Sequence, residues 1–235
     1  MAINETIRRP IAGISSMATR NLLADLVAQY EQRQHRRVVI ESVGGVAAAR
    51  RVQEGERFDV VVLAADAIDQ LAADGRIVAG RRVDLARSGV AIAVAAGAPR
   101  PDIGTEAALR EAILAARSIG YSTGPSGTHL VRLFEQWGIV EALAPRIVQA
   151  PPGVPVGTLV ADGEVELGFQ QLSEMLHVPG IDVIGALPAE VQIVTIFSAA
   201  ICTVSDQCEA AQALLSFLAS PETARVKLDH GMEPV

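Results

Sequence analysis

An α/β fold is predicted by three features of the chain. Short apolar runs alternate with amphipathic stretches, the core composition is almost free of aromatics, and two apolar runs are long enough to link two lobes. Strands spaced by helices of this length imply parallel pairing with right-handed crossovers. Half of the 235 residues are hydrophobic but only 3% are aromatic. The interior must therefore be built from Ala, Val, Leu and Ile, as where helices pack on a parallel sheet. The length suits one large domain or two small lobes.

Along the chain, IAGIS reads as the first strand, and Leu22, Leu23, Leu26, Val27 and Tyr30 then share one helical face. VVIES is a second strand, followed by VAAARRVQEG as a helix. DVVVLA is a third, opened by Asp59, and the helix from Ala67 to Ala73 stops at Gly75. After Gly89 the run VAIAVAAG is strongly apolar, and GAPRPDIG closes it. AALREAILAA is a helix, SIGY a strand, and THLVRLFEQW a helix ending at Trp137. VGTLVADG is a short helix, ELGF a strand, QQLSEML a short helix and IDVIG a strand. QIVTIFSAAICTV is a long β-branched run, and CEAAQALLSFLAS and PETARVKLD close the chain as helices. The runs at 89–96 and 192–204 are the candidates for strands passing between lobes. Two crossings put residues 1–84 plus 196–235 in lobe one and 85–195 in lobe two. The cleft between them is then the expected binding site, and hinge closure the expected motion.

The formal charge of -7 makes nucleic acid and anionic membranes poor partners, although a local anion site need not follow net charge. No run reaches membrane-spanning length. MAINETIRRPIAGISS has no long apolar segment behind its arginines, so no signal peptide is expected. That reading is cytoplasmic, and becomes periplasmic if a leader has been removed. Cys202 and Cys208 stand six apart without a CxxC, and the four histidines are scattered, so no zinc site and no cofactor is expected. The cysteine spacing leaves a disulfide open.

One turn stands apart in composition. YSTGPSGTHL, Tyr121 to Leu130, places two glycines, a proline and several hydroxyls between a strand and a helix. Such a turn aims free N–H groups, hydroxyls and a helix dipole at one spot, which suits an anion. The plainer alternative is a loop whose Thr128 caps the helix.

The order of these elements resembles the type II periplasmic-binding fold, and within it the molybdate-binding-protein-like group. The matching pieces are ISSMATRNLLADLVAQYE, GGVAAARRVQEGERFDVVVLA, RVDLARSGVAIAV, YSTGPSGTHL, VGTLVADGEVELGFQQLSE and the late SFLASPETA. The resemblance implies mixed sheets flanked by helices, two lobes and two crossover strands. The chain departs from the molybdate binders where it reads SVGGV after the second strand and LGFQQLSE near a position often held by tyrosine. GAPRPDI, ELGFQQLSE and VPGIDVIG are more similar to an aconitate-isomerase-like subgroup, enzymes that move a double bond within a tricarboxylate.

On that fold four turns are expected to meet at the ligand. Ser15 and Ser16 follow the first strand, at the position of the family's first ligand turn; simple N-capping is the alternative. Gly44 and Gly45 allow close backbone approach, or a turn needing positive φ. Gly124, Ser126, Gly127 and Thr128 form the neutral anion cradle. Gln170 and Gln171 offer carboxamides with both donor and acceptor, unless Gln170 is merely solvated. A polycarboxylate also tends to meet a cation. Arg20, in the first turn after the serines, and His129, beside the cradle, are the candidates, while Arg50, Arg51 and Arg132 read as solvated helix charges and His35 as a surface residue. His129 is the candidate proton shuttle, since imidazole titrates near neutral pH; Glu41 and Glu174 are weaker bases. The expected function is cofactor-free isomerisation of a small di- or tricarboxylate. The alternative is a carrier of a molybdate-like oxyanion or carboxylate for an ABC permease.

Overall fold

The computed structural model describes residues 9–235. The first eight residues of the stretch on which the signal-peptide expectation rests lie outside it. The elements are β1 (Ile11–Ser16), α1 (Arg20–Gln34), β2 (Val38–Val43), α2 (Gly45–Gln53), β3 (Val60–Ala64), α3 (Ala65–Ala73) and β4 (Ile77–Ala95). There follow α4 (Glu106–Ala115), β5 (Ile119–Tyr121), α5 (Pro125–Gln136), α6 (Val140–Leu143), β6 (Ile147–Gln149), α7 (Val156–Ala161), β7 (Leu167–Gln171) and α8 (Leu172–Met175). The chain closes with β8 (Ile181–Ala186), β9 (Val194–Cys202), α9 (Cys208–Leu218), α10 (Ala224–Asp229) and β10 (Glu233–Pro234).

These elements form two compact units. One comprises the chain up to Leu85 together with Ser198–Val226, the other Ala86–Phe197 with Lys227–Val235. In the first unit β1 pairs in parallel with β2 (Ser15 opposite Ser42) and with β3 (Ser15 opposite Val62). β3 is buried along its whole length, as its unbroken VVVLA run requires. The core gathers Ile14, Val61, Leu63, Ile68 and Leu71 against Ala48 and Val52 of α2. Gly75, at φ 68°, ends the segment after α3 as the sequence suggests.

In the second unit β5 pairs in parallel with β6 and with β7, and β4 runs antiparallel to β7 and to β8. The sheet is mixed, and because β5, β6 and β7 are parallel their C-terminal ends open onto one edge. Phe134, Phe169, Ile92, Leu109 and Ile113 fill the core beneath. Trp137, the only tryptophan, ends α5, lies 6.3 Å from the Phe134 ring and donates from Nε1 to Glu106 at 2.6 Å.

Several elements differ from the sequence reading. β4 begins at Ile77, well before the apolar run, because its first half is a partly exposed strand carrying Arg81, Arg82 and Asp84. The strand reading ELGF extends to Gln171, so the glutamines lie in β7 and not in the following helix. The sequence puts the whole tail in lobe one, whereas Lys227–Val235 group with the second unit. There Glu233 and Pro234 pair with Arg87 and Ala86, and Gly231 packs on Leu172 and Leu176. Cys202 is buried and Cys208 exposed, and both are free thiols. Burial, with the nearby Asp59 charge, pushes the Cys202 thiol up to about 12, so it is an inert core group.

Candidate functional site

In the first unit, β1 ends at Ser16 and turns directly into a short 3-10 segment, Met17–Thr19. Ser15 is fully buried, and its Oγ shares a 2.8 Å hydrogen bond with Ser42 Oγ on the neighbouring strand. It also donates weakly to the Ser16 carbonyl at 3.3 Å. Ser16 is 7% exposed, and its Oγ has no hydrogen-bond partner. A buried hydroxyl left unpaired is uncommon and asks for an explanation. It does not cap the turn that follows, so N-capping does not supply one.

Gly45 sits against it: a Cβ at Gly45 would lie 3.7 Å from Ser16 Cβ. Gly44 is the N-cap of α2 with φ -56°, and neither glycine has a positive φ. Their use is closeness, not unusual backbone. The first backbone bond into α2 is Ala48 N–H to the Gly44 carbonyl. The amides of Gly45 to Ala47 thus have no acceptor among the described residues. Free amides, a helix start and an unpaired hydroxyl together make an anion-accepting corner. Arg20 is exposed at the start of α1, with no ion pair among the described residues. Arg51 is bound to both Glu41 and Glu56, which also removes Glu41 as a free base.

In the second unit, Gly124 is the N-cap of α5 and Pro125 its first residue. Proline contributes no N–H there. Gly127 and Thr128 both donate their amides to the Gly124 carbonyl, at 3.1 and 3.2 Å. Ser126 is 4% exposed, and its Oγ meets Ser122 Oγ at 3.1 Å. Ser122 Oγ also accepts from the Gly124 amide at 3.3 Å. The free donors of this cradle are therefore the Ser126 amide and the Ser122–Ser126 hydroxyl pair; Ser122 is a participant that composition did not single out. Thr128 does not cap the helix: it is exposed, and its hydroxyl lies 3.5 Å from the Gly124 carbonyl. His129 is also exposed. A groove of about 310 Å³ on this side of α5 is lined by Tyr121, Thr128, Arg132, Glu135 and Gln149. A larger one, of about 700 Å³, lies at α4 beside Thr105, Arg110 and Glu190 and holds none of the expected site residues.

The two glutamines are buried and committed. Gln170 Oε1 accepts from the Val156 amide at 2.8 Å, and its Nε2 donates to Glu174 Oε1 at 2.8 Å. The side chain of Gln171 points the other way. Its Oε1 accepts from Thr195 Oγ1 at 2.7 Å and its Nε2 donates to the Ser88 carbonyl at 3.0 Å; the reverse amide orientation would set oxygen against acceptors only. Gln171 thus ties β7 to β4 and β9 from within.

Glu174 gains in weight from this geometry. It stands near the ends of β5 and β7, on the sheet edge from which the Ser126 turn also leaves. Burial pushes its carboxyl up to about 7, with only the Gln170 amide acting in the opposite sense. Among the described residues no cation compensates it. Next to it Ser173 is 6% exposed, and its Oγ has no partner. A carboxyl whose folded pKa lies above its ordinary 4.5 holds a proton more tightly when folded. Stability is then fully present below about 4.5 and lost as pH rises through 7. In Glu174→Gln this loss is absent. The variant should match the wild type near pH 4.5 and exceed it by on the order of 2 kcal/mol at pH 8, read by urea unfolding. Parallel pH profiles would contradict the burial.

Among the described residues no group of three or more metal-ligating side chains occurs, and no helix is long and apolar enough to cross a membrane. What the chain offers is neutral: amides at helix starts, unpaired serine hydroxyls and one protonatable carboxyl. The fold is of the α/β class in which ligand sites, where present, lie at strand-to-helix turns beyond the strand ends. Residues 11–233 match the bacterial extracellular solute-binding proteins, and the chain belongs to that family. It is 41% identical over 190 residues to the aconitate isomerase of a Pseudomonas species, covering 80% of this chain and 72% of that one. Its fold is that of the periplasmic molybdate-binding protein of Azotobacter vinelandii, with TM-score 0.78, 20% identity, and 94% and 98% of the two chains covered. A tungstate ABC transporter structure from Geobacter sulfurreducens gives TM-score 0.73 at 16% identity, covering 94% and 98%.

Proposed function

We propose that this protein binds a small di- or tricarboxylate and shifts a double bond within it by proton transfer, without a cofactor. The observation that carries the reading is the 41% identity to an aconitate isomerase over four-fifths of the chain. The geometry agrees with it. Ser15, Ser16, Gly44, Gly45, Gly124, Ser126 and Gly127 supply or shape neutral donors that suit carboxylate oxygens and a developing dienolate-like charge. Thr128 and the glutamines act by holding their turns. The reaction removes a proton from a carbon next to a carboxylate or double bond and returns it elsewhere. Glu174, part-buried beside Gln170 and with its carboxyl pushed up to about 7 by burial, suits that task because an efficient acid–base group has its pKa near the working pH, whereas His129 stands exposed on α5.

The test is incubation with trans-aconitate in deuterated water, followed by proton NMR. Deuterium should enter substrate or product. Glu174→Gln should lower the exchange rate by about 10²-fold or more while leaving binding measurable, and His129→Gln should leave the rate near wild type. The reverse pattern returns the role to His129.

The family match favours a second reading, a carrier that hands an oxyanion or carboxylate to an ABC permease. It would act outside the cytoplasm, whereas the isomerase reading fits a cytoplasmic protein. Wild-type protein that binds carboxylates or molybdate in a thermal-shift screen, yet exchanges no carbon-bound proton, supports the carrier.

A further inference from the structure

Gln170 does more than hold its turn. It lies on β7, is 3% exposed, and uses both ends of its carboxamide. One neighbour fixes which end is which. The Val156 amide at the start of α7 can only donate, and it meets Gln170 Oε1 at 2.8 Å. Nε2 must then face the other way, where it donates to Glu174 Oε1 at 2.8 Å. The direction of this second bond is thus set by the backbone of α7 and not by the carboxyl it reaches.

That bond makes the two oxygens of Glu174 unlike. Oε1 accepts from Gln170. Oε2 has no hydrogen-bond partner among the described residues, yet unlike the neighbouring Ser173 Oγ it is not sealed in. An oxygen already accepting from an N–H is the poorer place for a proton, so the proton of the neutral carboxyl belongs on Oε2. The elements packed against α8 bring few charges. α7 and β7 carry none. β8, which meets Met175 of α8, carries Asp182, held by Arg100 and the Gly97 amide. The tail, whose Gly231 meets Leu172 and Leu176, carries Lys227, Asp229, His230 and Glu233. Of these, His230 faces the His177 ring at 5.7 Å and Glu233 pairs with Arg87. Only burial and the Gln170 amide act on Glu174, in opposite senses.

We propose that Gln170 is a positioning residue for the proton transfer: pinned by the Val156 amide, it holds Glu174 so that Oε2 is the oxygen that takes the carbon-bound proton of the substrate and returns it. The inference rests on the reading of Glu174 as the acid–base group. In the step a C–H bond breaks and an O–H bond forms at Oε2. The electron pair left on carbon is delocalised into the adjacent double bond and carboxylate. Return of the proton to another carbon restores the Glu174 carboxylate and completes the shift. The Gln170 amide stays on Oε1 throughout, and by favouring the carboxylate it offsets the burial that favours the neutral acid.

The experiment compares wild type, Gln170→Glu, Gln170→Met and Glu174→Gln by two readouts. One is deuterium exchange of trans-aconitate as a function of pH. The other is the carboxyl-carbon NMR signals of isotopically labelled glutamates without ligand, where the signal missing in Glu174→Gln identifies Glu174. Gln170→Glu keeps an acceptor for the Val156 amide but turns an oxygen towards Glu174. Gln170→Met loses both bonds and adds no charge. Both are expected to raise the Glu174 midpoint by about 1 pH unit or more, the scale of a hydrogen bond to a charged group. The rise of exchange rate with pH is expected to move up by the same amount. If Gln170→Met does not fold, Gln170→Glu carries the test. A rate that falls equally at every pH, with the Glu174 midpoint unmoved, shows a structural glutamine and overturns the proposal. A moved midpoint with an unmoved rate profile overturns it too. Exchange at the wild-type rate in Glu174→Gln sinks the acid–base reading of Glu174 and the proposal with it. An inactive Glu174→Gln beside Gln170 variants that behave as wild type sinks the proposal alone.

Discussion

Replacing Asp59 by alanine is expected to destabilise the protein by about 3–5 kcal/mol, the scale for stripping one partner from a buried charged network. The Asp59 carboxylate is 1% exposed and accepts four hydrogen bonds. They come from the Ala12 amide at 2.8 Å, Arg9 Nη2 at 3.0 Å, Ser205 Oγ at 2.7 Å and Gln207 Nε2 at 3.1 Å. These donors belong to the segment leading into β1, to β1 itself and to the loop before α9, so one side chain joins stretches nearly two hundred residues apart. Alanine leaves the Ala12 amide and the Ser205 hydroxyl without this acceptor, at the desolvation cost of groups left unpaired, while Arg9 keeps Asp206 and Gln207 keeps the Pro10 carbonyl. Urea unfolding measures the loss. Asp206→Ala is the control: that carboxylate also meets Arg9, at 2.6 Å, but is exposed, and its removal should change little. Equal effects of the two variants would mean that the Asp59 network is not what holds this region.

Gly127→Ala is expected to cost about 3 kcal/mol, the upper range for overpacking, and to abolish anion binding by the Ser126 turn. A Cβ at Gly127 would fall 1.8 Å from the Ser122 carbonyl oxygen and 2.9 Å from a Tyr121 ring carbon. The obstacle is backbone, so no rotamer change relieves it. The turn from Ser122 to Gly124 has to move, and with it the Ser122–Ser126 hydroxyl pair. Gly44→Ala, where an added Cβ meets nothing within 4 Å, should fold normally. Denaturation and calorimetric titration with citrate check both variants; a Gly127→Ala protein with wild-type stability and affinity would show that the turn is not held as described.

How much of this could be read beforehand depends on where each property comes from. The buried strands β1, β3, β7 and β9 are legible because their apolar runs are continuous, and α1, α4, α5 and α9 because their apolar positions keep a helical period. The first half of β4 is not, since Arg81, Arg82 and Asp84 alternate with small residues and only pairing with distant strands makes the segment extended. The composition of the Tyr121–Leu130 turn points to its N–H groups and hydroxyls. It does not reveal that the Gly127 and Thr128 amides are already used, which follows from the helix starting at Pro125. The partners of Gln170 and Gln171 depend on strand order: one side chain reaches Val156 and Glu174, the other Ser88 and Thr195. The environment of Glu174 is set by what folds over it, so in the sequence it ranks only as a weaker base than His129.

The single tryptophan has an optical consequence. Trp137 is fixed at the end of α5 by Glu106 and Phe134, in the same helix that begins at the Ser126 turn. Tryptophan emission, excited at wavelengths that tyrosine does not absorb, therefore comes from the second unit alone. A fluorescence titration would follow events transmitted along α5 and remain silent to anything confined to Ser16 and Gly45, so a ligand that seats only on the first unit would bind unseen in such an assay.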